Sequence, residues 1–418
     1  MKISTFGKKM TVRSGICQLM DDLGSALSGE RDILMLGGGS PAHIPAMEER
    51  FRMSMMELLK NGDKFERAIG DYDPPQGNRE FIDALATLLR KEFGWQIGLK
   101  NVAITHGSQS AFIMLFNIFA GIFDEDKKRK ILLPISPEYI GYCDVGFVED
   151  IFTAVRPRIE HIDDHIFKYH IDFDKLNITD EIGAICVSRP TNPTGNVLTD
   201  SEIKKLSKLA RKNDVPLIID NAYGMPFPNI VFTDATPYWD ENVIMCMTLS
   251  KLGLPGTRTG IVIAKEEVID MVAKMNAIMF LAPGSMGAAV ATKLVRSGEI
   301  LSLSRNIIQP FYREKADQAL SILLKELDGV DFHIHKPEGA LFLWLWFRDL
   351  PITSLELYER LKKRGVIVVP GNYFFPGLDG PWQHKNECIR INHSRDEETI
   401  TKGLKIIADE VKQIYAGK

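Results

Sequence analysis

The sequence lacks the features that mark several large classes of protein. No run of about eighteen apolar residues could span a bilayer, and residues 1–14 hold no apolar core of a secretory signal. Lysine and arginine (51) nearly balance aspartate and glutamate (55), so no broad basic field supports nucleic-acid binding. The five cysteines are far apart and form no Cys-x-x-Cys pair, which argues against disulfides and zinc: Cys17, Cys143, Cys186, Cys246 and Cys388. We therefore expect a cytoplasmic protein with reduced thiols and no metal, membrane or nucleic-acid partner.

What is present is an alternation of strands and helices in a chain of 418 residues, a length that usually holds two domains. Apolar runs predict strands at 102–105, 131–134, 184–188, 216–220, 243–247 and 260–264. Because these runs are apolar throughout, they are expected to form a mainly parallel α/β sheet with helices on both faces. The composition changes after about residue 305. We therefore expect a large domain at 47–305 and a smaller α+β domain formed by 1–46 with 306–418.

The residues of greatest chemical interest follow the ends of these strands. Ser108 follows the first strand, Asp220 closes another and Lys251 comes shortly after a third. The carboxyl ends of parallel strands form the usual ligand crevice of such a sheet, so we expect these residues to share one edge. Gly107, Ser108 and Gln109 open a helix, where backbone N–H groups favour an anion, although an ordinary helix start has the same pattern.

Lys251 and Arg258 suggest a specific ligand. Desolvation at the end of a buried strand lowers the pKa of a lysine, and its neutral amine can attack a carbonyl. Arg258 has a forked set of donors suited to a phosphate, and Ser250 would help to complete a cup for it. These residues point to an aldehyde cofactor that carries a phosphate, pyridoxal 5′-phosphate. A surface lysine and an ordinary turn arginine would give the same local pattern, so the rest of the chain must decide.

Three further residues suit the ring of such a cofactor. A buried carboxylate keeps the pyridine nitrogen protonated, and Asp220 fits that role. Tyr223 and Asn192 are candidates for hydrogen bonds to the ring oxygen. The structural alternatives are a turn cap at Asp220 and a simple proline turn around Asn192.

Taken in order along the chain, these motifs resemble the fold-type I aminotransferases that depend on pyridoxal phosphate. The signature is Asn-Pro-Thr-Gly at 192–195, Asp-Asn-Ala-Tyr at 220–223, and Ser-Lys at 250–251 followed by Arg258. The likeness runs through nearly the whole chain. It implies a seven-stranded-type parallel sheet sandwiched by helices, a smaller α+β domain and a homodimer with shared active sites. Arg189 stands where the family usually has an asparagine, so its role is open.

The resemblance also implies a cofactor role for each matching residue. Lys251 is expected to be the Schiff-base lysine and proton carrier, and Asp220 the partner of the pyridine nitrogen. Tyr223 and Asn192 are expected to bind the ring oxygen. Tyr139 is expected to stack on the cofactor ring, and Tyr72 to reach the phosphate of the cofactor bound by the partner subunit. The residues expected to form a cup around the phosphate are Gly107, Ser108, Gln109, Thr248, Ser250 and Arg258.

For the substrate, the resemblance implies that Arg390 binds the α-carboxylate, together with Asn192, and that Gly39 lies beside it. Longer strings at 36–39, 107–112, 137–142, 336–340 and 369–377 resemble the branch of the family that works on valine and pyruvate. We therefore expect ping-pong transfer of an amino group between an aliphatic amino acid (valine or alanine) and a 2-oxo acid (pyruvate or 3-methyl-2-oxobutanoate).

The same cofactor residues serve other reactions. A broad aromatic or 2-aminoadipate aminotransferase and a C–S lyase are the alternatives within the fold. A transcription regulator that senses the cofactor would need an added basic DNA-binding domain. Aminotransferases for dicarboxylates use a second arginine, but Arg296 and Arg305 are expected at solvated helix positions, and the preferred amino donor stays open.

Overall fold

The computed structural model describes residues 1–12, 14–27, 33–124 and 127–417. The helices, named in chain order, are α1 Thr5–Met10, α2 Gly15–Leu27, α3 Pro45–Lys60, α4 Lys64–Gly70, α5 Arg79–Phe93, α6 Ser108–Phe119, α7 Asp200–Lys212, α8 Glu266–Phe280, α9 Met286–Ser297, α10 Glu299–Leu303, α11 Gln309–Glu326, α12 Ser354–Lys363 and α13 Glu397–Ala416. The strands are β1 Leu34–Met35, β2 Val102–His106, β3 Gly121–Ile122, β4 Lys128–Leu133, β5 Phe152–Ala154, β6 Arg158–His161, β7 Ile166–His170, β8 Ile182–Ser188, β9 Leu217–Asp220, β10 Val243–Thr248, β11 Thr259–Ile263, β12 Phe332–His335, β13 Phe342–Phe347, β14 Val366–Ile367, β15 Val369–Pro370 and β16 Cys388–Asn392.

The larger sheet has eight strands in the order β2-β11-β10-β9-β8-β4-β3, with β5 paired to β4. The pairs from β5 through β4, β8 and β9 to β10 are all parallel. Strand β11 runs antiparallel to both of its neighbours, and the two-residue strand β3 runs antiparallel to β4. The predicted mainly parallel sheet is confirmed, and the six strands predicted from apolar runs are all present.

Helices cover both faces of this sheet. On one face, Phe116 of α6 and Val272 of α8 belong to the same hydrophobic cluster as Ile218 of β9. On the other face, Leu85 of α5 is in a cluster with Ile219, the next residue of the same strand. Successive residues of β9 therefore enter opposite cores, which is why this strand is apolar until its final aspartate.

A second sheet has six strands in the order β15-β16-β13-β12-β7-β6. Helices α11, α12 and α13 share a hydrophobic cluster with its strands, for example through Leu323, Leu361, Leu404 and Phe347. The hairpin β6–β7 is not among the predicted strands. It precedes β8 in the chain but pairs through β7 with β12 of this second sheet. The N-terminal segment supplies β1, which pairs in parallel with β14.

Strand register brings the ends of neighbouring strands to one edge of the larger sheet. Ser188 on β8 lies opposite Asp220 on β9. Thr248 at the end of β10 lies opposite Gly260 on β11, which in turn lies opposite Thr105 on β2. The loops at this edge carry Ser108, Tyr139, Asn192, Lys251 and Arg258, whereas Gly39, Tyr72 and Arg390 come from other parts of the chain.

Neither a membrane helix nor a metal centre is found in the described part of the chain. No helix there is long and apolar enough to cross a bilayer. No group of three or more histidine, cysteine, aspartate or glutamate side chains there is arranged to hold a metal ion.

Candidate active site

Lys251 follows β10 in a short 3-10 turn, Ser250–Leu252. Its Nζ donates a hydrogen bond to the carbonyl oxygen of Gly39 at 2.7 Å. The same nitrogen lies 5.5 Å from the centre of the Tyr223 ring. The amine is therefore held between the end of a central strand, an aromatic ring and a backbone carbonyl of the N-terminal segment.

The surroundings make the Lys251 amine less basic than an ordinary lysine. Burial lowers its pKa to about 8, and the positive charges of Arg390 and Arg258 add to this effect, whereas Asp220 opposes it. About a tenth of the amine is then unprotonated at pH 7. The predicted desolvation of Lys251 thus has a visible cause, and a neutral amine of this kind can attack a carbonyl.

Asp220 closes β9 and is buried. Its Oδ2 accepts a hydrogen bond from Tyr142 Oη at 2.8 Å, and its Oδ1 accepts one from the backbone N–H of Ala222 at 3.0 Å. Burial raises the pKa of Asp220 to about 6, and these two bonds and the charge of Lys251 limit the rise. At neutral pH the group is mainly a carboxylate with lone pairs left to accept a further N–H.

Tyr142 is not among the predicted site residues, although the string at 137–142 contains it. This residue is fully buried against the rings of Phe112 and Phe116. Asp220 follows 78 positions later. Nothing local shows that the hydroxyl of Tyr142 reaches that carboxylate, so only the folded chain reveals the contact.

Arg258 and the start of α6 form a cup for an anion. Gly107 precedes α6 with a φ of 79°, and a Cβ placed on it would lie 2.2 Å from Nη2 of Arg258. Only glycine therefore lets the guanidinium lie against this loop. The positive charge and the first N–H groups of the helix, at Ser108 and Gln109, are adjacent, an arrangement that favours a phosphate.

Three of the predicted cup residues also hold the local loops in place. Thr248 Oγ1 donates to Ser250 Oγ at 3.0 Å and accepts the Ser250 backbone N–H at 3.1 Å. Gln109 Nε2 donates to the carbonyl oxygen of Gly141 at 3.0 Å. These contacts fix the turn before Lys251 and connect α6 to the loop that carries Tyr139.

Arg390 enters the site from β16 of the second sheet. Its Nη1 donates to Asn192 Oδ1 at 2.7 Å and its Nη2 donates to the carbonyl oxygen of Gly37 at 2.5 Å. The guanidinium lies 4.2 Å from the centre of the Phe342 ring. Its Nε is buried and has no hydrogen-bond partner. A buried N–H without a partner is costly, and a carboxylate ligand is the natural group to supply one.

The two remaining tyrosines differ in position. Tyr139 is half-buried beside Tyr142, with 5.4 Å between ring centres, and the charges of Arg390 and Asp220 both act on its hydroxyl. Tyr72 is 84% exposed in a surface groove that Arg296 also lines. Among the described residues, no hydrogen bond or ring contact joins Tyr72 to the group around Lys251.

The open question about Arg189 has a structural answer. Its side chain is buried, and its Nε donates to the carbonyl oxygen of Leu198 at 2.7 Å. Its two terminal nitrogens donate to the Thr236 carbonyl oxygen at 2.9 Å and to Asp200 Oδ1 at 2.6 Å. Arg189 therefore ties its own turn to the segment 198–200 at the start of α7 and to the loop at Thr236, instead of facing a ligand.

The groups present fit the cofactor that the sequence suggested. A partly neutral amine at Lys251 suits an aldehyde, and the Gly107–Arg258 cup suits a phosphate. The buried carboxylate of Asp220 suits a protonated ring nitrogen. The unpaired Nε of Arg390 suits the carboxylate of an amino acid bound next to the cofactor.

Comparison with known proteins shows similarity over the whole chain. The family model for aminotransferase class I and II matches residues 55–407. The chain is 50% identical to the valine–pyruvate aminotransferase of Escherichia coli (strain K12), over 100% of this chain and 99% of that protein.

Two similar crystal structures cover nearly all of the chain. The valine-pyruvate aminotransferase of Salmonella typhimurium LT2 has 49% identity and a TM-score of 0.89, over 96% of this chain and 100% of the other. A putative amino-acid aminotransferase of Psychrobacter arcticum 273-4 has 48% identity and a TM-score of 0.97, over 100% of both chains. The predicted family is confirmed: this protein belongs to the class I and II aminotransferases, enzymes that depend on pyridoxal phosphate.

Proposed function

We propose that this aminotransferase exchanges amino groups between valine or alanine and pyruvate or 3-methyl-2-oxobutanoate. The observation that carries the proposal is the 50% identity, over the full length, to a valine–pyruvate aminotransferase. In the described part of this subunit, no hydrogen bond or ion pair joins the two arginines that could have suggested a dicarboxylate substrate to the group around Lys251. Arg305 is exposed, and Arg296 is an exposed residue of α9 with Nη2 3.6 Å from Glu80.

The reacting groups follow from the site. Pyridoxal phosphate supplies an aldehyde that takes up an amino group and a ring that stabilises the charge left when an α-proton departs. Lys251 would hold the cofactor and, once released, its amine would carry that proton, a task that suits a pKa of about 8. Asp220, mainly ionised at neutral pH, would keep the ring nitrogen protonated. Tyr223, whose pKa is raised by burial, stays a phenol and would donate to the ring oxygen beside Asn192.

The other predicted residues would bind and orient. The cup for the phosphate would consist of Gly107, Ser108, Gln109, Thr248, Ser250 and Arg258. Tyr139 would stack on the ring. Arg390 and Asn192 would bind the α-carboxylate of the substrate, and the backbone of Gly39 would lie beside it, where it now accepts the hydrogen bond from Lys251.

We also propose a homodimer in which Tyr72 reaches the phosphate bound by the partner subunit. Its exposure supports this role, and helices α3 and α4, which precede it in the chain, also expose apolar side chains, among them Met53, Met56 and Ile69. Exposed apolar groups of this kind mark an interaction surface when they cluster.

A cytoplasmic location is supported by the five cysteines, all of them free.

The division into a large domain at 47–305 and a small domain at 1–46 with 306–418 is likewise proposed. The hydrophobic cluster beneath helices α11, α12 and α13 supports it, because its buried residues all come from 1–46 and 306–418. A second cluster joins the two sheets, since it contains Ile219 of β9 as well as Trp344 of β13. The hairpin β6–β7, at 158–170, would then be the part of the large domain that pairs with the small one. Closure of the small domain would bring Arg390 toward the substrate.

The function is tested by measuring alanine formation from pyruvate with a panel of amino donors and the cofactor-loaded enzyme. Valine is expected among the best donors, with the parallel-line kinetics of a ping-pong mechanism. Lys251→Ala is expected to abolish turnover and the absorbance of lysine-bound cofactor. Lys265→Ala, on an exposed lysine paired with Glu267, is the matched control and should keep both.

Other outcomes would reject the proposed substrates. A clear preference for aromatic donors or for 2-aminoadipate would show a different aminotransferase specificity. Release of pyruvate and ammonia from a cysteine conjugate, without an acceptor, would identify a C–S lyase.

A further inference from the structure

Asp220 is the last of a buried row of four polar side chains. Tyr142 Oη donates to Asp220 Oδ2 at 2.8 Å, and Ser188 Oγ lies 3.5 Å from Tyr142 Oη. Glu138 Oε2 lies 2.5 Å from Ser188 Oγ. Glu138 and Tyr142 are fully buried, and Ser188 and Asp220 nearly so. The roles assigned to the site so far involve neither Glu138 nor Ser188.

The row is built into the larger sheet. Ser188 ends β8 and lies opposite Asp220 on the neighbouring strand β9. The backbone N–H of Ser188 donates to Glu138 Oε1 at 2.9 Å, and the backbone N–H of Glu138 donates to the carbonyl oxygen of Phe374 at 2.8 Å. Glu138 is thus held at both carboxyl oxygens and at its backbone.

The number of protons in the row distinguishes two states of Glu138. Each hydroxyl has a single proton to donate, and that of Tyr142 goes to Asp220. With an ionised Glu138, the proton of Ser188 goes to Glu138, and no proton joins the oxygens of Ser188 and Tyr142. With a protonated Glu138, its proton binds Ser188 and that of Ser188 binds Tyr142, so that each contact in the row is a hydrogen bond.

The electrostatic surroundings favour the protonated state. Burial raises the pKa of Glu138 to about 8, and the negative charge of Asp220 adds to the rise, whereas the hydrogen bonds from Ser188 reduce it. Two carboxylates that repel each other in one buried site are not readily ionised together. Asp220 is the more acidic of the two, because its pKa is about 6 and Lys251 acts on it.

The thiols and phenols around the row remain neutral, and Lys251 is the cation that acts on Asp220. Burial raises the pKa of the Cys186 and Cys246 thiols, on β8 and β10, well above the ordinary value. Burial does the same for the phenols of Tyr142 and, to a smaller extent, Tyr139. The row therefore carries one negative charge, and that charge is on Asp220.

We propose that Glu138, as a neutral acid, is a positioning residue that acts on Asp220 through Ser188 and Tyr142. The directed row of hydrogen bonds would hold the Asp220 carboxylate in one orientation and stabilise its charge, so that the cofactor's ring nitrogen meets a carboxylate of fixed strength. This inference rests on the proposed function, because it concerns the carboxylate that pairs with the cofactor. Glu138 acts on Asp220 through hydrogen bonds and, being neutral, adds no second negative charge near the site.

The decisive comparison is between Glu138→Gln and Glu138→Leu. The carboxamide of Glu138→Gln keeps a donor for Ser188 Oγ and an acceptor for the Ser188 N–H, whereas leucine removes both. The readout is the pH titration of the absorbance of Lys251-bound cofactor. Loss of the donor row makes Asp220 a stronger base that withdraws the ring proton, so Glu138→Leu and Tyr142→Phe should move the midpoint up by about half a pH unit or more. Glu138→Gln should leave the midpoint near that of the wild type.

A second measurement needs no cofactor. In the cofactor-free protein at pH 7, the infrared spectrum should contain the carbonyl band of a buried protonated carboxyl group, and this band should disappear in Glu138→Gln. Ser188→Ala should shift the cofactor titration upward as well. Ser136→Ala is its matched control, because Ser136 is also buried but its Oγ has no hydrogen-bond partner.

The possible results separate the inference from the function beneath it. A missing infrared band, or a shift in Glu138→Gln as large as in Glu138→Leu, would overturn the neutral donor. Unchanged midpoints in Tyr142→Phe and Ser188→Ala would show that the row acts on stability alone and would also overturn it. A wild-type protein without any titrating cofactor absorbance would instead reject the proposed function, and this inference with it.

Discussion

Arg390 and Asn192 connect the two sheets across the site, with 2.7 Å between Arg390 Nη1 and Asn192 Oδ1. Arg390 belongs to β16 of the second sheet, and Asn192 lies in the loop after β8 of the larger sheet. The arginine is fully buried and lies over the rings of Phe342 and Phe374, and its Nε has no hydrogen-bond partner. A substrate carboxylate would therefore bind at a point where both halves of the molecule contribute.

The substitution Arg390→Lys should weaken the use of all amino acid substrates. An ammonium keeps the charge but loses the forked donors, so at least one charge-assisted hydrogen bond of about 1.5–3 kcal/mol is lost. We expect kcat/KM to fall about tenfold to a hundredfold, mainly through KM, as steady-state kinetics with valine will measure. Arg395→Lys is the matched control, because Arg395 Nε donates to the Met35 carbonyl oxygen at 3.3 Å. Equal losses in the two variants would contradict the assignment.

Gly107 permits a test of the phosphate cup. In Gly107→Ala the new Cβ would lie 2.2 Å from Arg258 Nη2, and the φ of 79° disfavours any side chain. The guanidinium must then move from the start of α6, and the Kd for pyridoxal phosphate should rise about tenfold or more, as fluorescence titration of the cofactor-free protein will show. Gly256→Ala is the control, since nothing lies within 4 Å of a Cβ there. An unchanged Kd in Gly107→Ala would argue for a different anion site.

The strands of the larger sheet could be predicted because their signal is local. Each is a short apolar run, and those at 184–188 and 243–247 need only their own residues to be recognised. The placement of Asp220 and Lys251 followed from the same signal, since both come at or just after the ends of such runs. Hairpin β6–β7 gave no such signal, because β6 is mostly exposed and the partner strand β12 is far along the chain.

Side-chain contacts were the part that sequence could not reveal. Tyr142 and Glu138 both stand in a string that resembles the family, but the hydroxyl and carboxyl positions depend on how the turn Ile140–Tyr142 packs against β8 and β9. Arg189, in contrast, stands where the sequence differs from the family. Its three contacts to loop segments were visible only in the structure.

The acidity of Lys251 can be measured in the cofactor-free protein. Its pKa is lowered to about 8, so the amine is protonated and unreactive well below pH 8 and becomes reactive as the pH rises through that value. Acetylation followed by mass spectrometry should therefore be half-maximal near pH 8 at Lys251. The exposed Lys265 is the comparison site in the same digest. Arg258→Gln should raise the Lys251 midpoint, because one of the positive charges that lowers it is gone.

A buried ion pair gives the last prediction, which concerns stability. Lys168 on β7 donates from Nζ to Glu338 Oε2, to Asn196 Oδ1 at 3.0 Å and to the Val197 carbonyl oxygen at 3.1 Å. The side chains of Lys168 and Glu338 are only 7% and 4% exposed. The pair thus fastens the second sheet to the segment that directly follows the Asn-Pro-Thr-Gly motif at 192–195.

Lys168→Met should destabilise the protein strongly, because it leaves the Glu338 carboxylate buried with Lys336 Nζ, 3.3 Å away, as its remaining cation. Removing one partner of a buried pair costs about 3–5 kcal/mol, and Lys336 should keep the loss near the lower end. The double variant Lys168→Met with Glu338→Leu should recover much of the loss, since it leaves no charge behind. Urea denaturation midpoints will measure both, with Lys175→Met, from the surface pair with Asp172, as a control that should leave the midpoint nearly unchanged. A double variant as unstable as Lys168→Met would show that lost packing and hydrogen bonds, and not the stranded charge, cause the destabilisation.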